Sequence, residues 1–170
     1  NVARARSAKP ERGVMRLRIL AIGRLRKGPE KDLIEDYISR FNRSGRPLGL
    51  GPVELTELED KKGGGKAAEA ALLLKAIGPS ATVIALDERG KLQSSPDFAA
   101  HLAQIRDTAP SELVFVIGGA DGLDPAVLQR ADFALSFGAM VWPHMLVRVM
   151  LTEQLYRAAS ILAGGPYHRV

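Results

Sequence analysis

The sequence predicts one α/β domain with a mainly parallel sheet and helices on both of its faces. Short apolar runs typical of buried strands alternate with segments whose apolar residues recur at helical spacing. Several of the strand candidates are apolar throughout, as parallel strands covered on both faces are. With 170 residues and 46% hydrophobic content, the chain suffices for one well-buried core and is too short for two full-sized domains. We place the domain at 15–170.

The first half of the chain reads as strand, helix, strand, helix. The apolar run 17–23 ends on glycine, and Pro29 opens a helix over 29–41 whose apolar residues repeat at helical spacing. Alternating apolar residues predict a second strand over 53–58. Strong helix formers then predict a helix over 67–77.

The second half continues the alternation. A buried strand is predicted over 82–87, followed by a helix with Ser95 as its N-cap and Pro96 as its first helical residue. Another buried strand follows over 112–119, and Asp124 caps a short helix that begins at Pro125.

The last two elements are a strand candidate over 133–142 and a long helix after Pro143. The helix is expected to stop at Gly164, Gly165 and Pro166. Five strands alternating with five helices complete the predicted fold.

Composition excludes several kinds of chemistry. The chain has no cysteine, which rules out disulfides, thiolate catalysis and cysteine-ligated metals. His101, His144 and His168 lack the close spacing of metal ligands, so we predict no metal. No apolar run approaches the roughly 20 residues that cross a bilayer, and we expect a soluble, cytoplasmic protein without membrane contact.

The net charge of +5 is concentrated at the start of the chain. Arg4, Arg6, Lys9 and Arg12 outnumber Glu11, so 1–14 carries +3 and the rest about +2. We interpret 1–14 as an upstream extension or tag remnant outside the fold; the alternative is a basic arm that binds RNA.

Ligands of parallel sheets bind beyond the carboxyl ends of the strands, so the strand-end loops are the places to search. The loop 23–30 has the glycine spacing of a phosphate loop, but Pro29 and Glu30 replace its lysine and hydroxyl residue. Lys61 and Lys62, beside three glycines, suit contact with RNA phosphate or simply belong to a flexible surface loop.

Two further strand-end loops contain candidate ligand-binding residues. In "LDERGK" (86–91), Asp87 either orients a ribose or holds the turn. In "IGGADG" (117–122), glycines let a ligand approach the backbone closely because no Cβ intervenes; a tight structural turn explains them equally well.

The end of the chain is harder to explain by structure alone. Glu153 and Arg157 are spaced as a helical ion pair and have a solvated salt bridge as their simplest interpretation. Beyond the helix, however, the last residues of the sequence include Tyr167, His168 and Arg169. Chain termini are ordinarily frayed and seldom need an aromatic ring, an imidazole and a guanidinium in a row.

Taken together, "WPHMLVRVMLTEQLYRA", "GGPYHR", "LDERGK" and "VIGGADG" resemble the RlmH family. These are SPOUT-class methyltransferases of large-subunit (23S) ribosomal RNA. The resemblance covers essentially all of 15–170, and the order of these segments at the end of the chain is its most specific feature.

The resemblance implies S-adenosylmethionine as methyl donor, N3 of a pseudouridine in assembled ribosomes as acceptor, a homodimer, and a C-terminal trefoil knot in the sheet. By segment matching, the cofactor contacts fall on three strand ends. They are Leu86, Gly118, Phe137, Gly138, Ala139, Met140, Val141 and Trp142. Ala120, Asp121 and Trp142 depart from the family's usual residues.

Methylation at N3 needs an acceptor for the N3 proton and a donor for the charge that spreads onto the ring carbonyls. We assign the first role to His168 as a hypothesis and the second to Arg169, while Tyr167 stacks on the base or orients its neighbour. Arg148 and Arg157 are candidates to hold RNA phosphate. His144 is interpreted as structural or as part of the dimer contact, with a substrate role as the alternative.

Two other classes stay open. One is a SPOUT enzyme that acts on transfer RNA, although such enzymes usually carry an added RNA-binding domain for which this chain has no room. The other is a noncatalytic nucleotide-binding α/β module, in which the terminal tripeptide is dispensable.

Overall fold

A computed structural model describes residues 14–108 and 110–169. Residues 1–13, which make up nearly all of the predicted extension, lie outside the described part, so that prediction is untested. The strands and helices alternate in chain order. They are β1 (Met15–Ile22), α1 (Pro29–Gly45), β2 (Leu50–Leu58), α2 (Gly65–Ala76), β3 (Thr82–Leu92), α3 (Ser95–Asp107), β4 (Glu112–Ile117), α4 (Pro125–Arg130), β5 (Phe133–Ser136) and α5 (His144–Leu162).

The five strands form one sheet in the order β2-β1-β4-β3-β5. Every pairing between neighbours is parallel. This confirms the predicted α/β class, and the sheet is parallel throughout rather than mainly parallel. The trefoil knot stays a prediction.

Helices cover both faces of the sheet, as predicted. Along β1, Leu17 and Ile19 belong to the core beneath α1, α3 and α5, whereas Leu20 belongs to the core beneath α2 and α4. This division follows from the two-residue period of a strand, which sends successive side chains to opposite faces. Burying a side chain of this size contributes about 1.5–3 kcal/mol.

Several predicted boundaries are wrong: α1 and β3 extend beyond 41 and 87, β2 begins before 53, and β4 ends before 119. Two further errors have clear local reasons. The strand predicted over 133–142 ends at Ser136, because the Ser136 hydroxyl accepts a hydrogen bond from Gly138 N at 3.1 Å and Gly138 turns at φ 120°. The N-cap of α3 is Ser94, whose Oγ accepts from Asp97 N at 3.2 Å. Ser95 instead donates to Gln154 Oε1 on α5 at 2.7 Å.

Candidate functional site

A cavity of about 400 Å³ opens at the carboxyl ends of β3, β4 and β5. This is the edge at which parallel sheets place their ligands. Seven of the eight predicted cofactor residues line it, and only Ala139 does not. The seven are Leu86, Gly118, Phe137, Gly138, Met140, Val141 and Trp142.

The glycine turn after β4 is both tight and part of the cavity wall. A Cβ at Gly118 would meet Gly122 O at 2.6 Å, and Gly122 N donates to Gly119 O at 3.0 Å. Gly118 is therefore required by the close approach of backbone to backbone. Gly122 has a φ of 78° and open space where its Cβ would point, so the turn also presents bare backbone.

The segment after β5 forms an apolar side of the mouth. Met140 and Val141 are 74% and 82% exposed, and Trp142 is 41% exposed. The Ser136 hydroxyl ties this segment to the bulge of β3 by donating to Glu88 O at 3.0 Å. Exposed apolar side chains gathered at one place mark a surface that a ligand or partner covers.

The part of the rim formed by β3 carries charge. Asp87 accepts hydrogen bonds from Arg89 N at 2.8 Å and from Arg89 Nε at 3.2 Å. These bonds lower the pKa of Asp87 below its ordinary value, so the carboxylate is ionised at neutral pH. Of the two interpretations of Asp87, this geometry favours the one in which it holds the turn. Lys66 also lines the mouth.

His144 lies in the cavity wall, a position compatible with the substrate role that we gave as the alternative to a structural or dimer-contact role. Burial lowers its pKa, and the Arg148 cation lowers it further, so the imidazole is neutral at pH 7. The signal available in the sequence was its position next to the cofactor segment, immediately after Pro143.

Arg148 does not face RNA, and the prediction for it is wrong. Its side chain is 1% exposed. It donates to Ile22 O at 2.7 Å, to Gly23 O at 2.8 Å and to Glu57 Oε2 at 3.0 Å. Because these partners occupy both terminal nitrogens, Arg148 ties α5 to the ends of β1 and β2.

The tail after α5 is docked on α5 itself. Tyr167 Oη donates to Glu153 Oε1 at 2.9 Å, and its ring lies 4.6 Å from the Tyr156 ring. The Arg157 guanidinium sits over the Tyr167 ring, 4.7 Å from its centroid. Burial, followed by the hydrogen bond to Glu153, raises the pKa of Tyr167 to about 12. The phenol therefore stays protonated at neutral pH.

Arg157 connects the helix to the rest of the tail. Its Nη2 and Nε donate to Glu153 Oε1 at 2.7 and 3.0 Å, and its Nη1 lies 3.1 Å from His168 Nδ1. The predicted helical ion pair is present, but it is bound to the tail rather than simply solvated. Contact between Arg157 and RNA phosphate stays a prediction.

The tail and the cavity share α5 without meeting in one chain. Tyr167, His168 and Arg169 are absent from the cavity lining. The tail docks at Glu153 and Arg157, roughly 9–15 Å along the helix axis from Val147 in the cavity wall, at 1.5 Å per residue. Lys61 and Lys62 are exposed and also lie outside the lining.

Within the described residues, no three histidine and carboxylate side chains gather as metal ligands would. No helix of that same part is long and apolar enough to cross a membrane.

The parallel sheet and the cavity at its carboxyl edge define the class: an α/β protein with a cavity of small-molecule size against strand-end backbone. A family described as "Predicted SPOUT methyltransferase" matches residues 15–168. The chain is 66% identical over 156 residues to the ribosomal RNA large subunit methyltransferase H of Ruegeria pomeroyi, covering 92% of this chain and 100% of that protein. It is 64% identical to the protein of the same name from Cereibacter sphaeroides, with the same coverage.

Among solved structures, a probable methyltransferase from Bordetella pertussis Tohama I has a TM-score of 0.49 and 15% identity. It covers 86% of this chain and 95% of its own. From the family match and the two close relatives, the chain belongs to the SPOUT methyltransferase family, in the group of ribosomal RNA large subunit methyltransferases H.

Proposed function

We propose that this protein transfers a methyl group from S-adenosylmethionine to N3 of a pseudouridine in large-subunit (23S) ribosomal RNA, in the cytoplasm and on assembled ribosomes. The observation that carries the proposal is the strand-end cavity, whose wall contains seven of the eight residues matched to the family's cofactor site. The high identity to named ribosomal RNA methyltransferases supports the RNA class.

The residues of the cavity fit the proposed cofactor. A volume of about 400 Å³ lies in the range of small-molecule sites. Leu86, Phe137 and Val141 offer apolar surface for a purine ring, and the glycine turn offers backbone groups for polar edges. When bound there, S-adenosylmethionine supplies a methyl group that is already electrophilic. The protein then needs only to orient the acceptor and to stabilise its charge.

The tail supplies the side chains that act on the base that accepts the methyl group. His168 and Arg169 bring an imidazole and a guanidinium to a base whose carbonyl oxygens gain negative charge as the N3 proton leaves. Because the tail docks away from the cavity of its own chain, we propose that the tail of one protomer serves the cavity of its partner. The exposed apolar side chains beside the mouth, Met140, Val141 and Trp142, are suited to be covered in such a homodimer.

The decisive experiment incubates the purified protein with labelled S-adenosylmethionine and ribosomes that lack the modification, and then maps the label. Label at N3 of one pseudouridine in large-subunit RNA supports the proposal. Label in transfer RNA alone would favour the other SPOUT class. No cofactor binding by calorimetry at millimolar concentration would favour a noncatalytic module.

A chain ending at Gly165 tests the role of the tail. We expect it to bind cofactor like the full chain, because the cavity lies elsewhere, and to lose methylation by at least about 100-fold, the scale of losing charge-stabilising donors. Full activity would contradict the proposal. Partial rescue is expected on mixing this chain with one that carries Gly118→Val, since each mixed dimer then contains one intact tail and one intact cavity.

A further inference from the structure

The contact between Arg157 and His168 defines which nitrogen of the imidazole carries the proton. Arg157 Nη1 lies 3.1 Å from His168 Nδ1. A guanidinium has donors and no acceptor, so Nδ1 must be the acceptor. The proton of the neutral ring is therefore on Nε2. While the tail is docked, the basic lone pair of His168 points at a cation and not at a substrate.

Tyr167 is equally unable to accept a proton. Its hydroxyl donates to Glu153 Oε1 at 2.9 Å. The same carboxylate oxygen accepts from Arg157 Nη2 at 2.7 Å, so one carboxylate holds both the phenol and the guanidinium. The docked tail is consequently an array of donors, and no protein group accepts from His168 Nε2–H or from the Arg169 guanidinium among the hydrogen bonds of the described residues.

We infer that His168 serves the proposed methylation as a hydrogen-bond donor through Nε2–H, and that Arg157, held by Glu153, is the positioning residue that selects this tautomer. The inference rests on the proposed function and replaces the hypothesis that His168 is the base. The N3 proton passes to solvent water. The nitrogen lone pair then forms the new N–C bond, the electrons of the S–C bond stay on sulfur, and His168 stabilises the negative charge on a ring carbonyl.

Nuclear magnetic resonance of the full chain with ¹⁵N-labelled histidine tests the tautomer without any activity measurement. The long-range ¹H–¹⁵N correlations of His168 are expected to show a protonated Nε2 and an unprotonated Nδ1. In Arg157→Met this preference is expected to be lost, and in Arg157→Lys, which keeps a donor, to be partly kept. Arg43→Met, at an exposed position on α1, is the matched control and should change nothing.

Either of two spectroscopic results would overturn the inference: a protonated Nδ1 in the wild-type chain, or His168 signals that are unchanged in Arg157→Met. Circular dichroism and thermal unfolding confirm that each variant is folded. Should Arg157→Met fail to fold, the wild-type spectrum and Arg157→Lys still decide the tautomer.

Methylation kinetics test the role of the donor. His168→Gln places an amide N–H near the position of Nε2–H and is expected to keep kcat within about tenfold of wild type, whereas His168→Ala loses about 100-fold or more. Equal losses in both variants would show that a proton acceptor is needed at residue 168 and refute the inference. A wild-type chain that methylates no ribosome would refute the proposed function and the donor role with it. The tautomer assignment is tested separately, by the spectra alone.

Discussion

Arg148 shows how a single residue can connect elements that are distant along the chain. Its guanidinium bonds the carbonyls of Ile22 and Gly23 and the carboxylate of Glu57, so it spans the ends of two strands from a third element. Burial lowers its pKa despite the neighbouring carboxylate, yet a guanidinium stays charged at any ordinary pH. Its contribution to stability therefore lies in the hydrogen bonds that it donates to these three acceptors, of which Glu57 also accepts from Leu25 N at 2.6 Å.

Removing this cation is expected to destabilise the fold strongly. Arg148→Ala removes the donor from two backbone carbonyls and from Glu57, and leaving a buried acceptor unsatisfied costs about 1–3 kcal/mol. Urea denaturation measures the free energy of unfolding. Arg43→Ala, on the exposed face of α1, is the control, with an expected change within about 0.5 kcal/mol. A similarly small change for Arg148→Ala would contradict the structural role.

Tyr167 predicts a dependence of tail docking on alkaline pH. Its pKa is raised to about 12 by burial and by Glu153, against about 10 in an unfolded chain. Because the folded state favours the protonated phenol, this stabilisation is complete below pH 10 and is lost as the pH rises from about 10 to 12. Titration of tyrosinate absorbance should show one late-titrating tyrosine, absent in Tyr167→Phe. If the two curves coincide, the docked tail is refuted.

At the scale of elements, β3 and β5 approach so closely beyond the cavity that one glycine is required. A Cβ at Gly90 would lie 2.5 Å from Ala134 O. β3 pairs with β5 on both sides of a bulge, at Leu86 and again at Lys91. Asp87 and Arg89, which line the rim of the cavity, therefore lie on the segment between these two paired stretches.

Gly90→Ala is expected to destabilise the protein by about 1–3 kcal/mol, the usual cost of forcing extra volume into a packed site. It should also weaken cofactor binding, since the displaced strand carries Leu86 of the cavity wall. Thermal unfolding and calorimetry measure the two effects. Gly78→Ala is the control because its Cβ would meet only Glu112 Oε1 at 3.7 Å. Equal stability of the two variants would argue against the tight pairing.

At the scale of the whole molecule, the apolar side chains near the cavity mouth predict a self-associating surface. Leu146, in the first turn of α5, is 37% exposed and does not line the cavity. It lies four residues after the exposed segment 140–142 in the chain, and we propose that it belongs to the same apolar surface. We propose that a second copy of the chain covers this apolar surface.

Leu146→Asp is expected to turn a dimer into a folded monomer, because it places a charge in the apolar contact. The monomer should bind cofactor and lose methylation, since the partner's tail is then missing. Analytical ultracentrifugation reports the oligomeric state. Leu33→Asp, at a position on α1 that is 44% exposed, serves as the control. A Leu146→Asp protein that is still dimeric would show that the dimer interface does not include Leu146.

Much of this architecture was predictable because local sequence patterns determine it. The order of strands and helices follows from apolar periodicity, and the cavity follows from the rule that parallel sheets bind ligands at their carboxyl edge. The family's segments supplied its lining residues from Leu86 to Trp142. The errors were local as well: apolar composition extended β5 to 142, whereas a serine side chain and a glycine turn end it at Ser136.

The sequence by itself thus determined the fold class, the family and most of the cavity wall. The tertiary structure alone decided the roles of the charged residues. Arg148 and Arg157 are both arginines of one helix, yet one is buried against the strand ends and the other holds the tail. The physical reason is that the partners of a guanidinium are acceptors brought near by folding, and no local periodicity records which acceptors those are.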